Sequence, residues 1–225
     1  YLHIPFCRQK CLYCSFYSLT DFDKSEYIDA IIRCVQYFGK KSGANAAVSD
    51  YRADTVYIGG GTPSVLPPEL LYRLFDAVYR NFDIEKNAEI TVEANPESCD
   101  MEFLYAAKGM GVNRLSLGVQ SFDDKELRAV GRVHTAAQAA EAVTLARRAG
   151  FNNIISDQYF ALPGQTDKSF ENSLKTLAGL DIEHISCYNL QVEDGTPLKK
   201  AGVLVPGEEQ QEKMYFLACE FLADR

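Results

Sequence analysis

Short apolar runs rich in β-branched and aromatic residues alternate along this chain with longer stretches whose apolar residues recur at helical spacing. The pattern predicts strands over residues 1–5, 55–58, 89–93, 113–117, 153–159 and 184–189. Between and after them it predicts helices over residues 24–38, 67–81, 101–108, 136–149, 168–180 and 208–222. In YIDAIIRCVQYF, for example, Ile28, Ile31, Ile32 and Val35 fall on one helical face. Gly150 sits where the fourth helix must stop, and FNNIIS starts the next strand. Strict alternation of strand and helix means parallel strands joined by crossover helices, an α/β architecture.

The special residues choose between a doubly wound sheet and a barrel. A cysteine loop follows the first strand, GGGTP (59–63) the second, EANP (93–96) ends the third and GVQS (118–121) the fourth. The fifth strand carries Asp157 and runs into ALPGQT (161–166), and the sixth runs into Gln191-Val192-Glu193. Polar or glycine-rich chemistry at the C-terminal end of every strand is the mark of a barrel rim. A doubly wound sheet would gather it at one switch point. Six strands instead of eight predict a partial, splayed (β/α)6 barrel with room for a large ligand. Residues 1–200 are assigned to it, and 201–225 to its last helix or the start of a further C-terminal region.

Composition narrows the function. With 225 residues, 47% hydrophobic and 24% charged, a soluble globular domain with a substantial core is expected. No apolar run reaches membrane-spanning length. A net charge of −8, a pI near 5.0 and the lack of a Lys/Arg block argue against nucleic acid as a partner. Seven cysteines, an odd number with three at metal-ligand spacing, suit a reducing cytoplasm better than a disulfide framework. Tyr1 already lies in a predicted strand and the last helix has barely ended at Arg225, so the sequence reads as trimmed at both ends.

The chemistry concentrates in CRQKCLYC. Cys7, Cys11 and Cys14 could bind zinc or an iron–sulfur cluster. Structural zinc wants a second knuckle, and no second CxxC exists. His3 alternates with Leu2 and Ile4 on a strand and reads as a satisfied barrel histidine. Three thiolates on one loop would instead wrap three corners of a cube and leave the fourth iron open. Cys34, Cys99, Cys187 and Cys219 lack metal spacing and are expected to be small apolar core residues. His134 and His184 show no partner in the sequence.

Cys7-x3-Cys11-x2-Cys14 resembles the signature of the radical SAM superfamily. YLHIPFC, YIGGGTPS, ITVEANPE, NRLSLGVQSF and LPGQT are similar to the oxygen-independent coproporphyrinogen III oxidase-like family, which holds the HemN decarboxylases and the HemW haem chaperones. The resemblance runs from Tyr1 to about Leu198. It implies that the three cysteines ligate a 4Fe-4S cluster whose open iron is chelated by S-adenosyl-L-methionine (SAM). It implies that Gly59, Gly60, Gly61 and Thr62 line the methionine part, with glycine N–H groups approaching its carboxylate. Glu93 would help to hold SAM, as would Gln120 and Arg132, with Arg132 pairing with the carboxylate. Asp157 would accept from the ribose hydroxyls, and Tyr1 would be an aromatic near the cluster. If SAM is cleaved, the family's chemistry is a 5′-deoxyadenosyl radical that abstracts hydrogen.

Two features separate this chain within that family. The decarboxylases carry a further cysteine two residues after the third; here that position is Phe16, as in the HemW pattern. The resemblance thus implies a haem-binding chaperone, with haem as cargo, an acceptor protein and an electron donor as partners. The alternative is a coproporphyrinogen III dehydrogenase. In the fifth strand, Gln158 stands where an aliphatic side chain is usual and Ala161 where glycine is usual, which implies a reshaped adenine pocket.

Overall fold

The computed structural model describes residues 1–21, 23–39 and 52–223. One sheet holds β1 (Leu2–Ile4), β2 (Ala53–Gly60), β3 (Ile84–Ala94), β4 (Arg114–Gln120), β5 (Ile154–Phe160) and β6 (His184–Asn189) in sequence order. Every neighbouring pair is parallel. β1 and β6 are the two edges, so the barrel is open and partial, as the alternation predicts.

The crossovers are α1 (Lys24–Phe38), α2 (Pro68–Asn81), α3 (Met101–Gly109), α4 (Asp124–Ala129), α5 (Ala136–Arg148) and α6 (Asp167–Gly179); α7 (Pro197–Lys200) and α8 (Glu208–Ala223) follow β6. Strand alternation sorts the two faces. Leu115, Leu117 and Val119 of β4 are fully buried among Leu104 of α3 and the alanine-rich face Ala139, Ala142 and Ala146 of α5. Their alternates Ser116, Gly118 and Gln120 turn into the barrel. α8 closes over the end of β5 and α6 through Met214 and Ala218, packed with Phe160 and Phe170. Helices begin close behind the rim loops because their caps lie there. Thr135 with Gln138 forms a capping box on α5, and Thr166 with Ser169 forms one on α6.

Several elements depart from the sequence reading. β4 continues to Gln120 instead of stopping at Leu117. α4 is an added helix, with Asp123 accepting from the amides of Lys125 and Glu126; six residues are too few for a helical period to show. β3 begins at Ile84 instead of Glu89; its exposed Glu85-Lys86-Asn87 opening carries no apolar alternation to announce it. Pro67 is the N-cap of α2 instead of its first residue. Cys99 is core as expected, with burial pushing its thiol up to about 12, and half-buried Cys187 is pushed up likewise. Cys34 and Cys219 are exposed instead. Each sits one residue from an inward position, Val35 on α1 and Ala218 on α8, and so turns about 100° away from the core.

Candidate functional site

The cysteine loop is anchored from both ends. The Cys7 amide donates to Leu19 O at 3.0 Å, the Leu12 amide to Val130 O at 3.0 Å, and the Leu198 amide to Leu12 O at 2.9 Å. Cys14 N donates to Cys11 O at 3.2 Å, a tight turn between the last two thiols. All three thiols line one cavity of about 440 Å³ at the C-terminal rim. Burial raises the Cys7 and Cys14 thiols above their usual range, with the Thr62 hydroxyl acting against it at Cys7. Two donors aim at sulfur: Thr62 Oγ1 lies 3.5 Å from Cys7 Sγ, and Arg132 Nη1 3.4 Å from Cys11 Sγ. Among the described residues, no three His, Cys, Asp or Glu side chains gather around a single ion. A cube of iron and sulfur takes its thiolates at separate corners.

Tyr1, Gly60, Gly61, Thr62, Glu93, Gln120, Arg132 and Asp157 line the same cavity, so residues scattered over 157 positions meet there. Gly59 does not line it; a Cβ there would come within 2.7 Å of the Glu93 carboxyl, so its bareness makes room for Glu93. The amides of Gly60 and Gly61 are already paired, against the expectation that they face an anion. Gly60 N donates to Glu93 Oε2 at 2.9 Å and Gly61 N to Ile4 O at 2.7 Å. Close packing explains these glycines: Gly60 has φ 122° and a Cβ on it would meet the His3 ring, while one on Gly61 would meet Phe6 O. His3 itself is satisfied by Tyr1 Oη at 3.0 Å. Glu93 also accepts from Tyr57 Oη at 2.7 Å.

Asn95, not singled out from the sequence, ties the site together. Its Oδ1 accepts from Arg132 Nη2 at 2.8 Å and its Nδ2 donates to Thr62 Oγ1 at 2.9 Å. Arg132 Nη2 also donates to Gly118 O at 2.7 Å, while its buried Nε has no partner among the described residues. Gln120 Oε1 is a second buried atom without one. Ser116, Tyr159 and Tyr188 are further lining residues that the sequence reading passed over. Period-two alternation was the available signal, since Glu93 inward implies Asn95 inward and Asp157 implies Tyr159. Tyr13, Tyr159 and Tyr188 form an aromatic wall, with centroids 5.2 and 5.7 Å apart. Gln158 does not line the cavity, so the expected amide in its wall is absent. Ala161 has φ 62°, a left-handed conformation that suits the glycine the resemblance implies there.

Asp157 is pushed up to about 6, by burial first and by the neighbouring Glu93 second, with hydrogen bonds from Ser186 and Ser116 acting against them. His134 has partners after all. Its Nε2 lies 3.0 Å from Val119 O and its Nδ1 3.3 Å from Glu97 Oε2. That contact helps to lower the Glu97 carboxyl, against its burial.

These features fit an iron–sulfur cluster with a charged ligand beside it. The thiols supply soft donors on one wall, and Arg132 and Gln120 on the others each keep a buried polar atom, Nε and Oε1, without a partner among the described residues. The family described as the Radical SAM superfamily matches residues 1–177. The heme chaperone HemW of Lactococcus lactis is 37% identical over 229 residues, covering 99% of this chain and 58% of that protein. HemW of Bacillus subtilis is 39% identical over 220 residues, covering 96% and 57%. A solved structure described as the radical SAM enzyme coproporphyrinogen III oxidase (HemN) from Escherichia coli superposes with a TM-score of 0.85 at 26% identity, covering 99% of this chain and 51% of that one. The chain thus spans little more than half the length of the curated relatives it matches. Among the described residues no helix is long and apolar enough to cross a membrane.

Proposed function

The chain belongs to the radical SAM superfamily, and from that premise we propose that it binds a 4Fe-4S cluster and SAM as part of a haem-binding chaperone of the HemW kind. Cys7, Cys11 and Cys14 would hold the cluster. The observation that carries the reading is their convergence on one cavity with the unpaired Arg132 Nε and Gln120 Oε1. If SAM is cleaved, a bound cluster would supply the one electron that the chemistry needs. The chain's own residues bind, orient and shield. Arg132, held by Asn95 and Gly118, would turn its remaining donors to the methionine carboxylate. Asp157 would accept from the ribose hydroxyls, and Glu93 would bear on the ligand from β3. The Tyr13–Tyr159–Tyr188 wall would keep water from the reacting side.

Phe16, 67% exposed beside the thiols, favours the chaperone over the decarboxylase, because it stands where a fourth local cysteine would be. Haem would be the cargo, and an acceptor protein and an electron donor the partners. The structural likeness to the HemN oxidase favours a second reading, oxidation of coproporphyrinogen III. Anaerobic reconstitution separates them: about four irons per chain, stoichiometric haem uptake and no porphyrinogen turnover are expected. Turnover under reducing conditions would establish the second reading, and stoichiometric zinc without iron would defeat both.

Asp157 makes SAM binding pH-dependent. Its folded value, about 6, lies above the ordinary 3.8. The free protein therefore keeps this group's stability below about 4 and loses it as pH rises through about 6. The ribose needs the ionised acceptor, so the sign for binding is opposite. SAM affinity is expected to fall as pH drops below about 6, by up to about tenfold per unit while this group alone titrates. Equilibrium dialysis at pH above and below that value checks it, and Asp157→Asn should flatten the dependence. A flat profile in the unmodified protein would remove Asp157 from the ribose site.

A further inference from the structure

Gln158 stands where the resemblance implies an aliphatic residue, and its surroundings give it a task. β4 and β5 pair in register up to Gly118 opposite Asp157; the register then shifts, so that Gln120 lies opposite Gln158. The extra residue, Val119, makes a bulge, and Gln120 beyond it has φ 64°. That left-handed conformation is unfavourable for a residue with a side chain and persists only where surrounding contacts over-determine it. Three consecutive carbonyls here are each held by a side chain from outside the strand. Arg132 Nη2 donates to Gly118 O at 2.7 Å, His134 Nε2 meets Val119 O at 3.0 Å, and Gln158 Nε2 donates to Gln120 O at 2.7 Å. The first two come from one segment behind α4; Gln158 holds the turn from β5. Gln158 is fully buried and its Oε1 has no partner among the described residues, a desolvation penalty that an aliphatic residue would avoid. Its amide is therefore explained by the bond its nitrogen makes.

We propose that Gln158 is a positioning residue, whose amide locks Gln120 in its left-handed conformation and so presents the Gln120 side chain to the SAM cavity. The proposal rests on the reading of that cavity as the SAM site, and its test has two arms that fail separately. In the metal-free protein, hydrogen exchange at the Ser121 and Phe122 amides is expected to be about tenfold faster in Gln158→Met than in the unmodified chain. In the reconstituted protein, Gln158→Met and Gln158→Leu are each expected to bind SAM about tenfold more weakly, with iron content and melting temperature retained. Gln120→Ala should weaken binding as well, and the double variant Gln158→Met/Gln120→Ala should be no weaker than Gln120→Ala alone. Unchanged exchange overturns the positioning role whatever the cavity binds. Unchanged affinity in the Gln158 variants, or additive losses in the double variant, overturns its action through Gln120. Failure of the unmodified, iron-loaded protein to bind SAM overturns the cavity assignment instead, and the exchange arm still decides whether Gln158 holds the turn.

Discussion

Alanine in place of Cys11 is expected to leave less than one iron per chain after anaerobic reconstitution, against about four in the unmodified protein. The loss should be nearly complete because the thiols act as a set. Cys7 is tied to Leu19 and Cys14 to Cys11 through the loop backbone, so no other cysteine can move into the gap. Cys34 and Cys219 lie exposed on α1 and α8, outside the cavity lining, and Cys99 is buried in the core. Cys34→Ala is the matching control and should retain full iron. Cys11→Ala also releases Arg132 Nη1 from its sulfur contact. Its apo form should still fold, because Arg132 keeps Asn95 and Gly118 as partners. Iron analysis and the visible charge-transfer absorbance read the result. Iron retained in Cys11→Ala at the unmodified level would show that the cluster is held elsewhere.

The thiol set was legible because ligand spacing is a property of the chain alone. The open barrel was legible because strand–helix alternation and rim chemistry repeat with the same order in sequence and space. Less visible was anything that depends on a side chain choosing a distant partner. His134 looks partnerless in sequence, yet a buried carbonyl and Glu97 bracket its ring from segments 15 and 37 residues away. GGGTP suggested amides waiting for an anion, but those of Gly60 and Gly61 are already paired, which only β1, the cysteine loop and β3 folded together reveal. Gln158 suggested a reshaped pocket because it stands where the resemblance implies an aliphatic side chain, but alternation places it on the opposite face of β5. The bulge at Val119 then gives it a partner that no spacing rule contains.

Glu126→Ala is expected to bring the largest loss of stability among side chains outside the apolar core, about 3 kcal/mol. Glu126 is 3% exposed on α4, and its carboxyl gathers three rim segments. Oε2 accepts from Ser121 Oγ at 2.6 Å and Gln165 Nε2 at 2.9 Å, and Oε1 accepts from Ser169 Oγ at 2.6 Å. Ser121 follows the strained Gln120, Gln165 belongs to the loop after β5, and Ser169 is part of the α6 capping box. Removing the carboxyl leaves buried Ser121 and Gln165 and half-buried Ser169 with poorer partners: Gln165 retains Tyr159 O at 3.3 Å and Ser169 retains Thr166 O at 3.0 Å. For a chain of this length the melting temperature should fall by roughly 6–12 °C. Glu126→Gln separates geometry from charge. Its amide oxygen can still accept from Ser121 and Gln165, and its nitrogen can donate to Ser169 Oγ once that hydroxyl turns to Thr166 O. A loss of about 1 kcal/mol is therefore expected for the glutamine. Because α4 leads into the segment carrying Arg132, the alanine variant should also bind SAM more weakly than its stability alone explains. Chemical unfolding of both variants decides the matter: an alanine variant within 1 kcal/mol of the unmodified protein would mean that the rim is held together by its backbone and apolar contacts, with Glu126 merely filling space between them.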